Sequence, residues 1–425
     1  MALLVFAGSI FIFLALGVPV YIALGACAIA LMFFLDFVEP LMMAQRMVWG
    51  VNNFVMMAIP FFIFAGEIMS KGGLGARLVQ AADIIIGRIR GGLGYTNVLS
   101  SIMFAGLSGS AVADVAMSGS LLYPMMVKNN YKRGRAMGAI CTSAIVSLII
   151  PPSTVMIILG TTVGISITSL FMAGIIPGIM LGLALMVAWF FVVRIDGYSD
   201  LKKYSFKEGV NVFFRSIPAI LMPIIIIGGI RFGVFTPTEA GVFSAVYAIV
   251  VCAFVYRELT WNTFLTCLVN TAKSTSVVML IVATATAVSW LIAIARVPEL
   301  AVEFFSPLIG NPLLLLLAIN IFLILVGMVL DLTPAVLIFS PVLFPVIIAA
   351  GINPIAFGVI MILNLGLGLI TPPIGVILAM GLSVSGVKYQ ELVLGTLPFL
   401  AVLFFMLFLF VFFPALILVP LGWLT

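Results

Sequence analysis

LIIPPSTVMIILG, residues 148–160, has a near-echo in LITPPIGVILAMG, residues 369–381. Each places two adjacent prolines inside an apolar run that otherwise reads as one membrane-spanning helix. A proline removes a helix hydrogen bond and clashes with the carbonyl one turn earlier. Two in succession leave a short non-helical link with several main-chain carbonyls free, and in hydrocarbon that is costly unless something binds there.

The surrounding composition makes hydrocarbon the expected setting. Of 425 residues, 64% are hydrophobic and 8% charged, with a mean hydropathy of +1.38. A soluble domain is nearer half apolar and a quarter charged. Runs such as Pro312 to Leu330 are long enough to cross a bilayer, and the short alternating segments of a β-barrel are absent. The expected class is an all-α polytopic membrane protein. The net charge of +5 is no nucleic-acid signal, because the basic residues sit mostly in short connections, where they set membrane orientation. Cys27, Cys141, Cys252 and Cys267 lie singly in apolar or amphipathic segments and read as buried thiols. The chain has no histidine, which removes imidazole relays and the commonest transition-metal ligand; no Walker or haem motif appears. MALLVFAGSIFIFLALG at the start lacks a positive n-region and a small-residue cleavage site, so it reads as a retained helix.

Sliding the sequence by 221 residues aligns 106–177 with 327–398 without a gap. Pro124, Pro151, Pro152 and Pro177 then meet Pro345, Pro372, Pro373 and Pro398. Proline is about 5% of an average chain, so this coincidence marks an internal repeat. Two halves follow, 1–195 and 216–425, joined by a polar linker over 196–215. In the first, scaffold helices and an arm occupy 1–92, a hairpin and broken helix 93–165, and a last helix 166–195. In the second, the corresponding parts occupy 216–297, 311–385 and 386–425.

Charge predicts the relative orientation. KGGLGARLVQAADIIIGRIRGG (71–92) and KNNYKRGR (128–135) are basic, whereas their partners at 292–313 and 349–356 carry one arginine, Arg296, against Glu299 and Glu303. Lys and Arg collect in cytoplasmic loops, so equivalent loops face opposite sides and the repeats are inverted. The linker with Lys202, Lys203 and Lys207 is then cytoplasmic, both termini lie outside, and each half makes about five crossings. Residues 93–127, turning at FAGLSGSAVAD, and 314–346, turning at LVGMVLDLTP, read as re-entrant hairpins, since small and polar residues belong where backbone lines a cavity.

A broken helix in each inverted half, beside a hairpin turn, points to a transporter site at the midplane. Helix starts at Ser153 and Ile374 can face an anion. Carbonyls over Ser147–Ile150 and Gly368–Thr371 can hold a small hard cation. Ser108, Gly109 and Ser110 offer hydroxyls and exposed backbone, and Ser110, Asp114 and Ser118 form an i, i+4, i+8 stripe that must face the interior. Such hydroxyls also cap or bond back to their own helices. Asp331 aligns with Ser110 and Thr333 with Val112; an N-cap role for Asp331 is compatible with a site role. Glu67, Glu239 and Glu391 lie nearer segment ends, where an interfacial position explains them. With no Lys, Arg or His in the candidate site, an anionic substrate depends on co-bound cations and helix N-termini. All-oxygen ligation suits Na⁺ better than a proton relay. Asp331 repels a second substrate carboxylate but accepts from sugar hydroxyls, which favours a monocarboxylic, polyhydroxylated substrate.

The set FAGLSGSAVADVAMSGS, LIIPPST, FTPTEAG, DLTP and GLGLITPPIG resembles the large membrane subunit of tripartite ATP-independent periplasmic (TRAP) transporters, over essentially the whole chain. The resemblance implies a bacterial inner-membrane secondary transporter, not an enzyme, driven by a sodium gradient. It implies a periplasmic binding protein that delivers an organic acid, commonly a C4-dicarboxylate or a sialic acid, and a separate small four-helix membrane subunit. It further implies an elevator, with arm helices at 40–53 and 259–273 and a transport domain holding both hairpins and both broken helices. Carried onto this chain, one sodium site uses Ser108, Gly109 or Ser110 with Ser147 and Ile150, and the other Asp331 or Thr333 with Gly368 and Thr371. Substrate lies near Ser110, Ser153 and Asp331. Sodium-coupled uptake of a sialic acid is the leading expectation and C4-dicarboxylate uptake the alternative. An ion channel is more distant, and a membrane enzyme lacks any nucleophile–base or metal-ligand constellation.

Overall fold

The computed structural model describes residues 2–36, 39–198, 206–373 and 375–424, with the backbone alone at 2–4, 7, 11, 14, 15, 106–108 and 206–208. The described residues are helical and contain no strand. The first half comprises α1 (Ala2–Ala15), α2 (Val20–Phe34), α3 (Pro40–Val51), α4 (Ala58–Lys71), α5 (Leu74–Ile86), α6 (Gly92–Ser108), α7 (Ala111–Lys128), α8 (Arg133–Ser143), the single turn α9 (Val146–Ile149), α10 (Thr154–Val163) and α11 (Ile167–Asp196). The second comprises α12 (Phe206–Arg231), α13 (Pro237–Val250), α14 (Trp261–Ile294), α15 (Val297–Ile309), α16 (Pro312–Gly327), α17 (Leu332–Ala349), α18 (Pro354–Gly368), α19 (Val376–Ser385), α20 (Tyr389–Phe412) and α21 (Ala415–Leu424).

The repeat is visible in these boundaries. Adding 221 to the ends of α7 gives those of α17, and the same shift carries the start of α8 onto that of α18. Packing is reciprocal: α7 lies against α19, and its counterpart α17 against α10, the counterpart of α19. Direction follows. The span α8–α9 continues into α10 across a 42° bend, so α10 runs on to the side opposite the α7–α8 connection.

Seven helices among the described residues are long and apolar enough to cross a membrane, or eight counting the bent pair. That is fewer than the roughly ten crossings expected, because helices such as α16 and α18, of 16 and 15 residues, each reach only about 23 Å. The linker is shorter than expected: α11 runs to Asp196 and α12 begins at Phe206. Lys202 and Lys203, and the side chain of Lys207, lie outside the described residues.

The arm at 40–53 is a separate helix, α3, but the arm at 259–273 is not; it is the first part of the unbroken 34-residue α14. In the first half Pro60 has no N–H for the Met56 carbonyl and its ring crowds that group, so α4 cannot extend backward. Asn53 instead caps a 3₁₀ turn over Phe54–Met57, accepting from Val55 N at 2.9 Å. At the shifted positions the second half has Lys273, Ser274 and Ile281, and helix continues.

All four cysteines are buried and free. The end of α11 is tied down by stacking of Trp189 with Tyr131, Tyr198 and Phe399. Asp196 there pairs with Lys132 and Arg135 and accepts from the Tyr198 hydroxyl at 3.1 Å. Burial pushes the Tyr198 phenol up to about 12, which keeps it a donor. FTPTEAG is a helix start: Thr236 and Glu239 form a capping box around Pro237 at the head of α13.

Candidate functional site

Prolines build the first break locally. Residues 151 and 152 cannot donate, so the carbonyls of Ser147 and Leu148 lose their helical partners. No described donor replaces them. At the second break Pro372 and Pro373 act the same way, but there the Gly368 carbonyl accepts from Thr371 N at 3.0 Å and the Leu369 carbonyl from Ile377 N at 3.1 Å. The first break is the more open. Both Pro–Pro bonds are cis.

Each hairpin turn is pressed onto a break. Gly109, at φ +56°, sits where a Cβ would come within 2.8 Å of the Pro152 carbonyl oxygen, and Thr154 Oγ1 donates to the Gly109 carbonyl at 3.4 Å. On the other side Gly327 and Gly368 meet backbone to backbone; a Cβ on Gly368 would lie 2.3 Å from the Gly327 carbonyl carbon. Only glycine permits these approaches.

Between the turns lies a cavity of about 360 Å³. It is lined by Gly109, Ser110, Ala111 and Val112 from the first turn, Asp331, Leu332 and Thr333 from the second, and Leu148, Thr154 and Leu369 from the breaks. Ser110 and Asp331, Ala111 and Leu332, Val112 and Thr333, and Leu148 and Leu369 are each 221 apart. The cavity is where equivalent parts of the two halves converge.

The site residues expected from sequence are thus partly gathered and partly set back. Gly109, Ser110, Asp331 and Thr333 line the cavity. Ser153, the N-cap position of α10, is fully buried beside the Gly109 contact; its hydroxyl caps nothing and has no hydrogen-bond partner among the described residues. Ser147, Ile150, Gly368 and Thr371 stand behind the wall formed by Leu148 and Leu369, all buried. The hydroxyls of Ser147 and Thr371 bond back to Ala144 O and Leu367 O, each at 2.7 Å. The Ser108 side chain lies outside the described residues, as does Ile374; the helix after the second break starts at Val376, with Gly375 as its N-cap position. Asp331 is the N-cap of α17 and accepts from Leu332 N at 2.8 Å, leaving Oδ2 for the cavity. Asp114 and Ser118 are buried, as the stripe requires.

Sequence reasoning missed one wall. Ile63, Gly66, Glu67 and Ser70 of α4, with Ser274 and Val278 of α14, complete the lining. Glu67 is therefore a cavity residue and not simply an interfacial one; one turn before Lys71, it is the one carboxylate in the largely apolar α4. The lining contains no Lys or Arg, and the described residues hold no group of three or more His, Cys, Asp or Glu side chains that could hold a metal ion.

Residues 7–416 match the family of the tripartite ATP-independent periplasmic transporter, DctM component. The chain belongs to the TRAP transporter large permease family. It is 46% identical over the whole of both chains to the 2,3-diketo-L-gulonate TRAP transporter large permease protein YiaN of Escherichia coli. It is 38% identical to the sialic acid TRAP transporter large permease protein SiaM of Vibrio cholerae, over 96% of each. To the C4-dicarboxylate TRAP transporter large permease protein DctM of Pseudomonas aeruginosa it is 35% identical, over 88% of this chain and 87% of that one. Among solved structures the Alcanivorax borkumensis YdaH transporter shares the fold, with a TM-score of 0.62, 13% identity and 88% of each chain covered. As a TRAP large permease the chain is a multi-pass membrane transport protein, and the cavity lies where its two halves meet.

Proposed function

We infer that this TRAP permease subunit imports a hydroxylated organic acid together with sodium across a bacterial inner membrane, receiving the acid from a periplasmic binding protein and working with a small membrane subunit. One observation carries the reading: both hairpin turns and residues of both helix breaks, Leu148, Thr154 and Leu369, line a single cavity with the hydroxyl-bearing Ser110, Thr154 and Thr333 and no Lys or Arg. An organic anion there needs cations that arrive with it, and Na⁺ is the cation that neutral oxygens serve best. Ser153, with its buried unpartnered hydroxyl, and Ser110 and Asp331 face the substrate. The first sodium site is built on Gly109–Ser110 and the open carbonyls of Ser147–Ile150, the second on Asp331–Thr333 and Gly368–Thr371. Two hairpins whose turns line one cavity, in halves related by a constant offset, support the re-entrant arrangement. The basic connections at 71–92 and 128–135 support a cytoplasmic position for those ends, with the termini outside. The movement proposed is an elevator, with the hairpins and broken helices travelling against the α3, α4, α13 and α14 group.

For the substrate, a monocarboxylic sugar acid is favoured: a sialic acid, or a smaller acid such as the 2,3-diketo-L-gulonate in the name of a relative. Asp331 opposes a second carboxylate, so C4-dicarboxylates are the second reading. The test is uptake into proteoliposomes holding the chain with its small subunit, given binding protein and labelled acid, with and without a sodium gradient. Uptake indifferent to sodium removes the coupling, and conductance without binding protein would mark a channel.

A further inference from the structure

Glu67 lies on α4, outside the hairpins and breaks, yet it lines the cavity opposite the turns. Its carboxylate is held from two directions on one oxygen. Asn270 Nδ2 of α14 donates to Oε2 at 3.1 Å, and Lys71 Nζ, one turn along α4, lies 3.3 Å from the same oxygen. Oε1 accepts from no described residue. An i, i+4 ion pair on an exposed helix face needs no third partner on another helix; here the amide of α14 fixes the carboxylate's rotation and leaves one acceptor over.

We propose that Glu67 is a specificity-determining residue, whose Oε1 accepts a hydrogen bond from a substrate hydroxyl and excludes a second substrate carboxylate. The proposal rests on the transport reading above and narrows its substrate class. Glu67 and Asp331 come from elements on different sides of the cavity, and both offer it acceptor-only oxygens. A hydroxyl donates to either; a carboxylate brought between them gains nothing from them and meets like charge. The ammonium of Lys71 offsets the charge of Glu67 on the Oε2 side without supplying a donor on the Oε1 side. The acid fitted by this chamber therefore carries one carboxylate, directed at the breaks, and at least one hydroxyl directed at α4.

The substitution Glu67→Gln separates these effects. Asn270 and Lys71 both donate, so the Gln carbonyl oxygen takes the place of Oε2, and the amide nitrogen, a donor, takes the place of Oε1. The experiment measures melting of the purified chain in NaCl while titrating N-acetylneuraminate, 2,3-diketo-L-gulonate and succinate, since a ligand that binds the folded state raises Tm. For the hydroxylated acid that stabilises wild type, E67Q should raise the apparent Kd about tenfold, the loss expected for one hydrogen bond to a charged group. Succinate should bind E67Q more tightly than wild type, and the ligand-free Tm should be unchanged. If E67Q does not fold, Asn270→Leu, which frees the carboxylate to rotate, should give a smaller rise of the same sign. Unchanged affinities in whichever variant folds overturn the role of Glu67 while leaving the transport reading in place. Wild type stabilised by none of the three acids, with or without sodium, overturns the organic-acid reading itself; wild type stabilised by succinate alone overturns the role of Glu67 and the monocarboxylate preference, and leaves the C4-dicarboxylate reading.

Discussion

Thr154 Oγ1 donates to the carbonyl of Gly109 across 3.4 Å, joining the first hairpin turn to the helix that restarts after the first proline pair. The bond spans the seam between two elements that sequence reasoning could only set side by side. Around it the Gly109 Cα has no room for a side chain.

Gly109→Ala should therefore cost transport. The added methyl meets the Pro152 carbonyl oxygen at 2.8 Å at a backbone with φ +56°, a combination worth about 1–3 kcal/mol of strain. Uptake should fall at least about tenfold, with the chain still inserted in the membrane. Near-normal uptake by this variant would mean that the turn does not need its seat on the break.

Gly368→Ala tests the opposite half. Its Cβ would come within 2.3 Å of the Gly327 carbonyl carbon, which is backbone and cannot rotate aside. The expected result is a weakened sodium dependence, seen as a rise in the half-saturating sodium concentration, together with a lower Tm. A lower Tm with unaltered sodium dependence would assign this contact to packing alone.

Ser153→Ala removes a buried hydroxyl that none of the described residues uses. Leaving such a group unsatisfied costs about 1–3 kcal/mol, so its removal should leave the ligand-free Tm unchanged or higher. If the hydroxyl serves a bound acid or ion, uptake should still weaken about tenfold, as for one lost hydrogen bond. A variant both stable and fully active would strike Ser153 from the site.

Asp331→Asn divides the two roles of that residue. Asn caps helices about as well as Asp, so the bond to Leu332 N and the melting temperature should survive. The charge facing the cavity does not. Transport should drop, and discrimination against succinate should narrow; a variant that transports normally would reduce Asp331 to a cap.

The proline pairs, the glycine- and serine-rich turn at 106–110 and the DLTP turn were readable because each breaks a local rule that apolar helices obey. Their shared spacing of 221 reappears in the helix ends and in the pairs that line the cavity. What escaped was set by packing between distant segments. Glu67, Ser70 and Ser274 lie on helices whose local pattern announces no site, and only the approach of α4 and α14 to the turns makes them lining residues. The unequal breaks were hidden likewise: identical prolines leave Ser147 and Leu148 without donors, whereas Thr371 N and Ile377 N fold back onto Gly368 and Leu369. The continuity of α14 was obscured by reasoning from its counterpart, where Pro60 and Asn53 force an interruption.

That interruption leaves the chain mechanically lopsided. In the wall that these helices share, one member is jointed, α3 and α4 meeting at a 3₁₀ elbow over Phe54–Met57, whereas α14 is a single girder of 34 residues packed against both. A transport cycle that moved these helices would consequently not treat the two halves as mirror images.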